Sequence, residues 1–286
     1  MEKLKSIIWV FIAILSIQGG ATFAKQLFPA IGPEATTFLR VWISALLLLA
    51  VYRPWKQGLS RKAIFAVVLY GMSLGAMNLL FYLALERIPL GVAVALEFVG
   101  PLSVALFASR KARDFLWALL AAAGIILILP HTDFSQSIDL LGVLFALAAG
   151  VCWGLYIIFA KKVGEHIIGG KATALGMFVA ALTVTPTSLS HVHFAELDGK
   201  IWMMAFFVAI LSSALPYSLE MMALRSIPEK TFGVLMSLEP AFAALMGLLF
   251  LSENLNGTQW LAIFCVMAAS AGSSLTAHNV TPPPQT

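Results

Sequence analysis

Three glutamates inside apolar runs are the residues of this chain most able to do chemistry. Glu97 lies in VAVALEFVG, Glu239 in LMSLEPAFA and Glu220 in ALPYSLEMM. A charged side chain inside a membrane span costs several kcal/mol, so an ionisable residue there indicates a functional site by default. Because an apolar environment disfavours the charged form of a carboxyl group, such a glutamate can bind a proton as well as a substrate ammonium group. We therefore predict that Glu97 and Glu239 form a proton or ammonium site, with Glu220 as a third candidate.

A structural explanation for the same glutamates stays open. Glu97 and Glu239 could each form an ion pair or a hydrogen-bonded strut between helices without touching a substrate. Glu220 stands about one turn before Arg225 near the end of a span, where a carboxylate can pair with that arginine or extend toward water. The two explanations differ in whether the carboxylates face a polar cavity.

Prolines accompany these glutamates in the sequence. Pro101 follows Glu97 by four residues, Pro240 directly follows Glu239, and Pro216 opens the segment that holds the third glutamate. Proline withholds a backbone donor, and spans tolerate this where protein or a water-filled cavity satisfies the freed groups. We predict that the three prolines mark bends that serve gating, with simple packing bends as the alternative.

Further polar side chains in the apolar runs could bind a small substrate. Arg40 could hold a substrate carboxylate through its two-pronged guanidinium, and anchoring at the membrane interface is the alternative. Asn78 and Tyr217 occupy equivalent positions in the internal repeat described below, so they could present hydrogen bonds from both halves. The remaining candidates for hydrogen bonds to a substrate are Gln18, Tyr82 and Tyr156.

The composition indicates that most of the chain lies in a lipid bilayer. Of its 286 residues, 60% are hydrophobic and 11% are charged, with a mean hydropathy of +0.92. A soluble domain carries about 25% charged residues because its surface faces water, and a helix of roughly 20 apolar residues crosses the bilayer core. The apolar runs predict ten such spans, which leave no room for a separate soluble domain. They are 6–27, 35–52, 64–85, 90–109, 114–130, 139–160, 172–190, 201–224, 231–251 and 258–277.

The distribution of lysine and arginine supports ten spans and predicts their orientation. With the N-terminus inside, fourteen of the eighteen Lys and Arg residues fall on the cytoplasmic side. Such an excess is the usual topology signal of membrane proteins. It also accounts for the net charge of +4, so we predict no nucleic-acid partner. Both termini are predicted to be cytoplasmic.

The chain contains an internal repeat. A shift of 139 residues aligns 78–114 with 217–253 without a gap, and nine of the thirty-seven pairs are identical, including Pro101 with Pro240. Because five is an odd number, two homologous five-helix halves must be inverted relative to one another. Inverted repeats with a site between them are a transporter architecture.

These patterns together predict a fold class and exclude several kinds of site. We predict an all-α integral membrane protein of ten transmembrane helices, built as two inverted five-helix repeats around a central cavity. The chain lacks a phosphate-cradling glycine loop, HExxH and GxSxG, so we predict no enzyme, no cofactor and no metal site. The predicted units are a first repeat at 1–136, a second at 137–277 and a disordered cytoplasmic tail at 278–286.

Three stretches of the chain resemble a known family, the bacterial drug/metabolite transporter superfamily of the EamA type. The resemblance extends along nearly the whole chain. It implies a ten-helix, two-repeat fold in the bacterial inner membrane and export of small zwitterionic amino acids, such as L-threonine and L-homoserine, as an antiport with protons. The stretches that carry it are SIQGGATFAKQLFP (16–29), YGMSLGAMNLLFYLALERIPLGVAVALEFVGPLSVALFASR (70–110) and ILSSALPYSLEMMALRSIPEKTFGVLMSLEPAFAALMG (210–247).

Three other functions stay open on the residues alone. A broader exporter of drugs or nucleoside-like metabolites would have a cavity dominated by aromatic side chains. A membrane receptor or assembly subunit would have no continuous polar cavity and would pair its buried carboxylates with one another. An intramembrane enzyme would need a nucleophile and a base that face each other, and no convincing pair is present.

Overall fold

Helices make up nearly all of the regular structure. The computed structural model describes residues 2–56, 58–108, 114–128, 138–167, 169–224, 227 and 229–276, and it contains no β-strand over these residues. Seven described helical segments, two of which run across a broken helix, are long and apolar enough to cross a membrane, and two shorter apolar helices accompany them. This multi-pass helical architecture agrees with the predicted fold class.

The described helices reproduce the ten predicted crossings when broken helices are joined. Helix α1 supplies two crossings, the pairs α3–α4, α8–α9 and α10–α11 supply one each, and the other five helices supply one each. The π-helical segment Ile210–Ala214 joins α8 to α9. The predicted tail at 278–286 lies outside the described residues. The α-helices are α1 (Glu2–Tyr52), α2 (Arg61–Arg87), α3 (Leu90–Glu97), α4 (Val99–Ala108), α5 (Asp114–Ile128), α6 (Leu140–Gly164), α7 (Gly170–Ser188), α8 (Gly199–Ala209), α9 (Leu215–Leu224), α10 (Glu229–Met236), α11 (Glu239–Leu251) and α12 (Gly257–Thr276).

A kink at Gly32 divides α1 into its two crossings. Its apolar part, Leu4–Tyr52, has 49 residues, or about 74 Å at 1.5 Å per residue, against a bilayer core of roughly 30 Å. Gly32 has φ 75° and ψ 165°, a conformation that glycine adopts without the steric cost of a Cβ. Pro33 follows at the start of the next helical segment, where a missing N–H removes no helical hydrogen bond. The predicted boundaries left a connection at 28–34, and the structure needs only this one residue for the change of direction.

The internal repeat is visible as matching breaks in two helices. The break between α3 and α4 falls at Phe98, and the break between α10 and α11 begins at Ser237. The shift of 139 residues superimposes these two positions. Pro101 and Pro240 stand three residues after the respective breaks. Because each proline withholds the donor for the carbonyl four residues earlier, the same sequence feature interrupts both helices at the same place.

The two halves of the chain pack against each other along most of their length. Helix α1 contacts α7, α8, α9 and α11, α2 contacts α6 and α7, α3 contacts α11, and α5 contacts α12. Glycines permit the closest of these approaches. A Cβ on Gly100 would overlap the carbonyl oxygen of Gly150, and a Cβ on Gly150 would lie 2.7 Å from the carbonyl oxygen of Glu97. Helix α6 therefore rests directly against the α3–α4 break.

Candidate functional site

A cavity of about 180 Å³ lies between the two halves of the chain. Helices α1, α2 and α3 of the first half and α6, α9, α10, α11 and the π-helical segment of the second half form its wall. The receptor hypothesis expected no such polar cavity. The polar side chains in the wall are Gln18, Arg40, Asn78, Glu97, Tyr156, Ser212, Glu220 and Glu239.

All three glutamates predicted from the sequence line this cavity. Glu97 is 7% exposed and Glu239 is 4% exposed, and Glu220 is half-buried. None of them forms an ion pair within 4.0 Å with another described residue. Arg225, the expected alternative partner of Glu220, lies outside the described residues. Within the described part of the chain the carboxylates thus face a shared space and do not act as paired struts.

The helix breaks place two of these glutamates at helix ends. Glu97 is the last residue of α3, and Glu239 is the first residue of α11. The last carbonyl groups of a helix have no partner within it and carry partial negative charge, which favours a nearby cation. The first turn of a helix carries partial positive charge, which favours a carboxylate. Phe98 keeps helical dihedral angles and donates to the carbonyl of Val94 at 2.9 Å, so the interruption is confined to the Glu97 carbonyl, whose helical donor Pro101 withholds. This carbonyl and the Glu97 carboxylate together suit an ammonium group or a proton.

Arg40 lies buried inside the helix bundle. Its side chain is 7% exposed. It donates hydrogen bonds to the hydroxyl oxygen of Tyr82, at 3.0 Å, and to the amide oxygen of Asn78. Its guanidinium carbon also stands 5.1 Å from the centre of the Tyr82 ring, and its Nε has no hydrogen-bond partner in the described part of the chain.

This arginine is a buried cation without a direct ion pair among the residues that the structure describes, although the charge of Glu97 in the same wall acts on it from farther away. No described carboxylate lies within 4.0 Å of Arg40. A buried charge is costly unless it is paired, and a guanidinium binds a carboxylate through two parallel hydrogen bonds. The cavity thus presents one cationic and three acidic side chains, which is the charge pattern that an amino-acid zwitterion would complement.

The other candidates for substrate contact occupy different places. Asn78 lines the cavity and donates its Nδ2 to the carbonyl of Leu74 at 2.7 Å. Tyr82 is fully buried outside the cavity wall, where it supports Arg40. Tyr156 lines the cavity, and its ring stacks on that of Tyr70 at 5.0 Å. Gln18 lines the cavity at 2% exposure. The side chain of Tyr217 lies outside the described part of the structure.

The three predicted gating prolines each stand beside a departure from α-helix. Pro101 and Pro240 follow the two helix breaks, and Pro216 comes two residues after the π-helical segment. A π-helical turn inside an α-helix is rare and occurs frequently at functional sites. The bends therefore surround the cavity, whose wall includes residues from all three regions.

Sequence reasoning missed eight of the fifteen side chains of the wall. Ser212 precedes Pro216 by four residues within an apolar run, which is the signal that could have singled it out. Met77, Trp153 and Met236 are apolar residues in apolar spans, and no local pattern distinguishes them from core residues. Among the fifteen wall residues, Phe81, Trp153 and Tyr156 are aromatic. The wall is thus not dominated by aromatic side chains, contrary to the expectation for a broad drug exporter.

Comparison with protein families identifies a match along both halves of the chain. The model of the EamA-like transporter family matches residues 4–129 and again residues 140–275. The two matches together cover most of the chain. They correspond to the two halves that face each other across the cavity.

Individual relatives and a solved structure agree with this match. The chain is 45% identical to the threonine/homoserine exporter RhtA of Escherichia coli K12 over 274 residues, which cover 96% of this chain and 92% of that protein. It is 45% identical to the protein of the same name in Salmonella typhimurium LT2, over 94% of this chain and 91% of that one. A solved crystal structure shares the fold with a TM-score of 0.63 and 20% identity over 95% of this chain and 98% of its own.

Proposed function

The chain belongs to the EamA-like transporter family, and we propose that it exports L-threonine and L-homoserine across the bacterial inner membrane in exchange for protons. Two relatives named as threonine/homoserine exporters, each 45% identical to this chain over nearly its whole length, support the substrates. The observation that carries the mechanism is the cavity in which Arg40 and the three glutamates face one space between the halves.

Opposite charges on the cavity wall bind the two charged groups of the amino acid. Arg40 holds the substrate carboxylate, because its Nε is unpaired and no described carboxylate lies within 4.0 Å of it. Glu97 and Glu239 hold the ammonium group, with Glu220, which the sequence places nearer the cytoplasmic end of its span, as a third acidic group in the same wall. Asn78 and Tyr217 add hydrogen bonds from the two halves.

Competition between proton and substrate couples the two fluxes. A carboxylate that binds the ammonium group must be ionised, whereas a protonated carboxyl releases it. Protons that enter from the outer side therefore displace the amino acid outward. The same glutamates then release the protons on the cytoplasmic side before substrate binds again.

The size of the cavity favours a small metabolite over a drug. Its volume is about 180 Å³, whereas pockets for drug-sized ligands begin at roughly 300 Å³. Three aromatic residues among fifteen in the wall also fit a small polar substrate better than a large planar one.

Movement of the two repeats relative to each other exposes the cavity to either side in turn. The repeats are residues 1–136 and 137–277, with both termini and the tail at 278–286 on the cytoplasmic side. Toward the predicted outer end of the cavity, Tyr82 and Leu85 on α2 and Ile88 just after its end belong to a closely packed core and are 0–1% exposed. This cluster must separate before substrate can leave on that side.

Counterflow of labelled threonine in reconstituted vesicles tests the proposal. Vesicles loaded with unlabelled threonine should accumulate labelled threonine transiently, and loaded homoserine should support the same exchange. An imposed pH difference should drive net threonine movement toward the acidic compartment, opposite to the proton flux. Absence of counterflow with both amino acids would disprove the substrate assignment. Counterflow without any response to the pH difference would disprove the exchange with protons and leave the substrate assignment in place.

A further inference from the structure

Besides Arg40, two buried polar side chains in the cavity wall have atoms without a hydrogen-bond partner in the described structure. Gln18 is 2% exposed and Ser212 is 8% exposed. The Oε1 atom of Gln18 and the Oγ atom of Ser212 are both enclosed and unpaired. Most buried polar atoms in proteins are paired, so each exception needs an explanation, such as a ligand absent from the structure. Both residues line the cavity.

The neighbouring serines show that the missing partners are specific to this position. Ser16 donates to the carbonyl of Leu211 at 2.7 Å, and Ser44 contacts the hydroxyl of Ser213 at 3.2 Å. These hydroxyls tie α1 to the π-helical segment. Ser212 takes no part in this network. Its side chain lies instead beside Gly20 of α1, where a Cβ would overlap the Ser212 hydroxyl.

Gln18 and Ser212 differ in charge from the groups proposed to hold the zwitterion. Arg40 and the glutamates account for the carboxylate and ammonium groups that all amino acids share. Neither Gln18 nor Ser212 is charged, so together they offer a neutral amide and a hydroxyl. An amide oxygen accepts a hydrogen bond, and a serine hydroxyl both donates and accepts. This pair is complementary to a hydroxyl group on a ligand.

We propose that Gln18 and Ser212 bind the side-chain hydroxyl of the substrate and so select hydroxylated amino acids over apolar ones of similar size. This inference rests on the proposed function, because it takes the zwitterion to be held by Arg40 and the glutamates. The substrate hydroxyl donates to Gln18 Oε1 and accepts from Ser212. An apolar side chain would leave both polar groups unpaired, and a site built to bind a hydroxyl rejects an analogue that lacks it.

Transport of 2-aminobutyrate supplies the matched comparison. This amino acid is what remains when the hydroxyl is removed from either threonine or homoserine. In reconstituted vesicles, the wild-type chain should prefer threonine over 2-aminobutyrate by at least about tenfold in kcat/KM. Ser212→Ala and Gln18→Leu should each reduce that ratio severalfold, mainly by lowering threonine transport.

Ser213→Ala is the control, since it removes the adjacent hydroxyl, which is also buried but pairs with Ser44. It should leave the ratio unchanged even if it lowers the overall rate. A ratio that stays at the wild-type value in both test variants would overturn the inference. If neither variant folds, the wild-type preference alone decides, and equal transport of threonine and 2-aminobutyrate would overturn it. A wild-type chain that moves neither amino acid would instead refute the proposed function.

Discussion

Lys25 and Glu253 join the two halves of the chain through an ion pair of 2.7 Å. Their side chains are 20% and 13% exposed. Lys25 also donates to the carbonyl of Ile88 at 2.9 Å, and Glu253 accepts the backbone N–H of Leu90 at 2.8 Å. The Oε1 atom of Glu253 accepts no aligned hydrogen bond, so its contact with Lys25 is an ion pair by distance alone. This cluster connects α1, the start of α3 and the segment after α11.

Removal of this ion pair should destabilise the protein. Lys25→Met leaves a mostly buried carboxylate with one partner fewer, which should cost about 1–3 kcal/mol. Thermal unfolding in detergent should show a lower Tm for this variant, whereas Lys25→Arg should retain most of the stability because it keeps the charge. An unchanged Tm in Lys25→Met would show that the ion pair does not hold the two halves together.

Neutralisation of the two cavity glutamates should abolish coupled transport without unfolding the protein. Glu97→Gln and Glu239→Gln keep the shape of the side chain but cannot exchange a proton. Each should lower pH-driven threonine efflux by at least about tenfold, since the lost charge pair contributes on the order of 1.4 kcal/mol or more. Glu86→Gln, at an exposed position on α2, serves as the control. Full transport in both single variants and in the double variant would remove these glutamates from the mechanism.

The geometry of Arg40, in addition to its charge, should matter for substrate affinity. Arg40→Lys keeps a positive charge but loses the fork that meets both Tyr82 and Asn78 and that can hold a carboxylate through two bonds. The KM for threonine should rise about tenfold or more. Tyr82→Phe removes only one supporting hydrogen bond, worth about 0.5–1.5 kcal/mol, and should have a smaller effect. Equal KM values for Arg40→Lys and the wild type in vesicle assays would contradict a direct role in carboxylate binding.

Close packing of α6 against the α3–α4 break should make Gly150 intolerant of side chains. A Cβ at this position would lie 2.7 Å from the carbonyl oxygen of Glu97, so Gly150→Val forces the two backbones apart and should cost about 1–3 kcal/mol. Gly164 is the last residue of the same helix, and no neighbouring atom would lie within 4 Å of a Cβ added there. Gly164→Ala should therefore be neutral or stabilise the protein by up to about 1 kcal/mol. Comparable Tm values for the two variants would contradict this packing.

Acid should weaken a contact at the start of α6. Arg87 donates to Asp139 at 3.0 Å, and Asp139 also caps α6 through the N–H of Leu141. The Arg87 hydrogen bond, followed by the Leu141 N–H, lowers the pKa of Asp139, which stands one residue before the observed span Leu140–Gly164 and not within it as the predicted boundary had it. A lowered pKa in the folded state means that the stabilisation is present above the ordinary aspartate pKa and is lost as the pH falls through the folded value. The Tm difference between the wild type and Asp139→Asn should accordingly shrink below roughly pH 4. A difference that is constant over this range would exclude an ionised Asp139 from the contact.

Several elements of the fold could be predicted because they depend on local sequence. The crossings follow from the lengths of the apolar runs, and the paired breaks follow from Pro101 and Pro240, which the repeat alignment superimposes. The π-helical segment before Pro216 and the loop-free turn at Gly32 could not be predicted. The π-helical segment depends on packing between elements far apart in sequence, since hydroxyl groups of α1 form hydrogen bonds to it and to the residue before it.

The sequence by itself determined that the protein is a bundle of membrane-spanning helices with two repeats. It also determined that Glu97 and Glu239 are ionisable residues inside membrane spans, where a charge is costly. Hydrophobic length and charge cost are properties of a residue and its near neighbours, so they can be read along the chain. Only the tertiary structure decided that Arg40 reaches the cavity while Lys25 is neutralised by Glu253. Both are single cations in apolar surroundings, and their partners are set by helix packing between residues far apart in sequence. The same packing leaves the oxygens of Gln18 and Ser212 unpaired, which no local pattern could reveal.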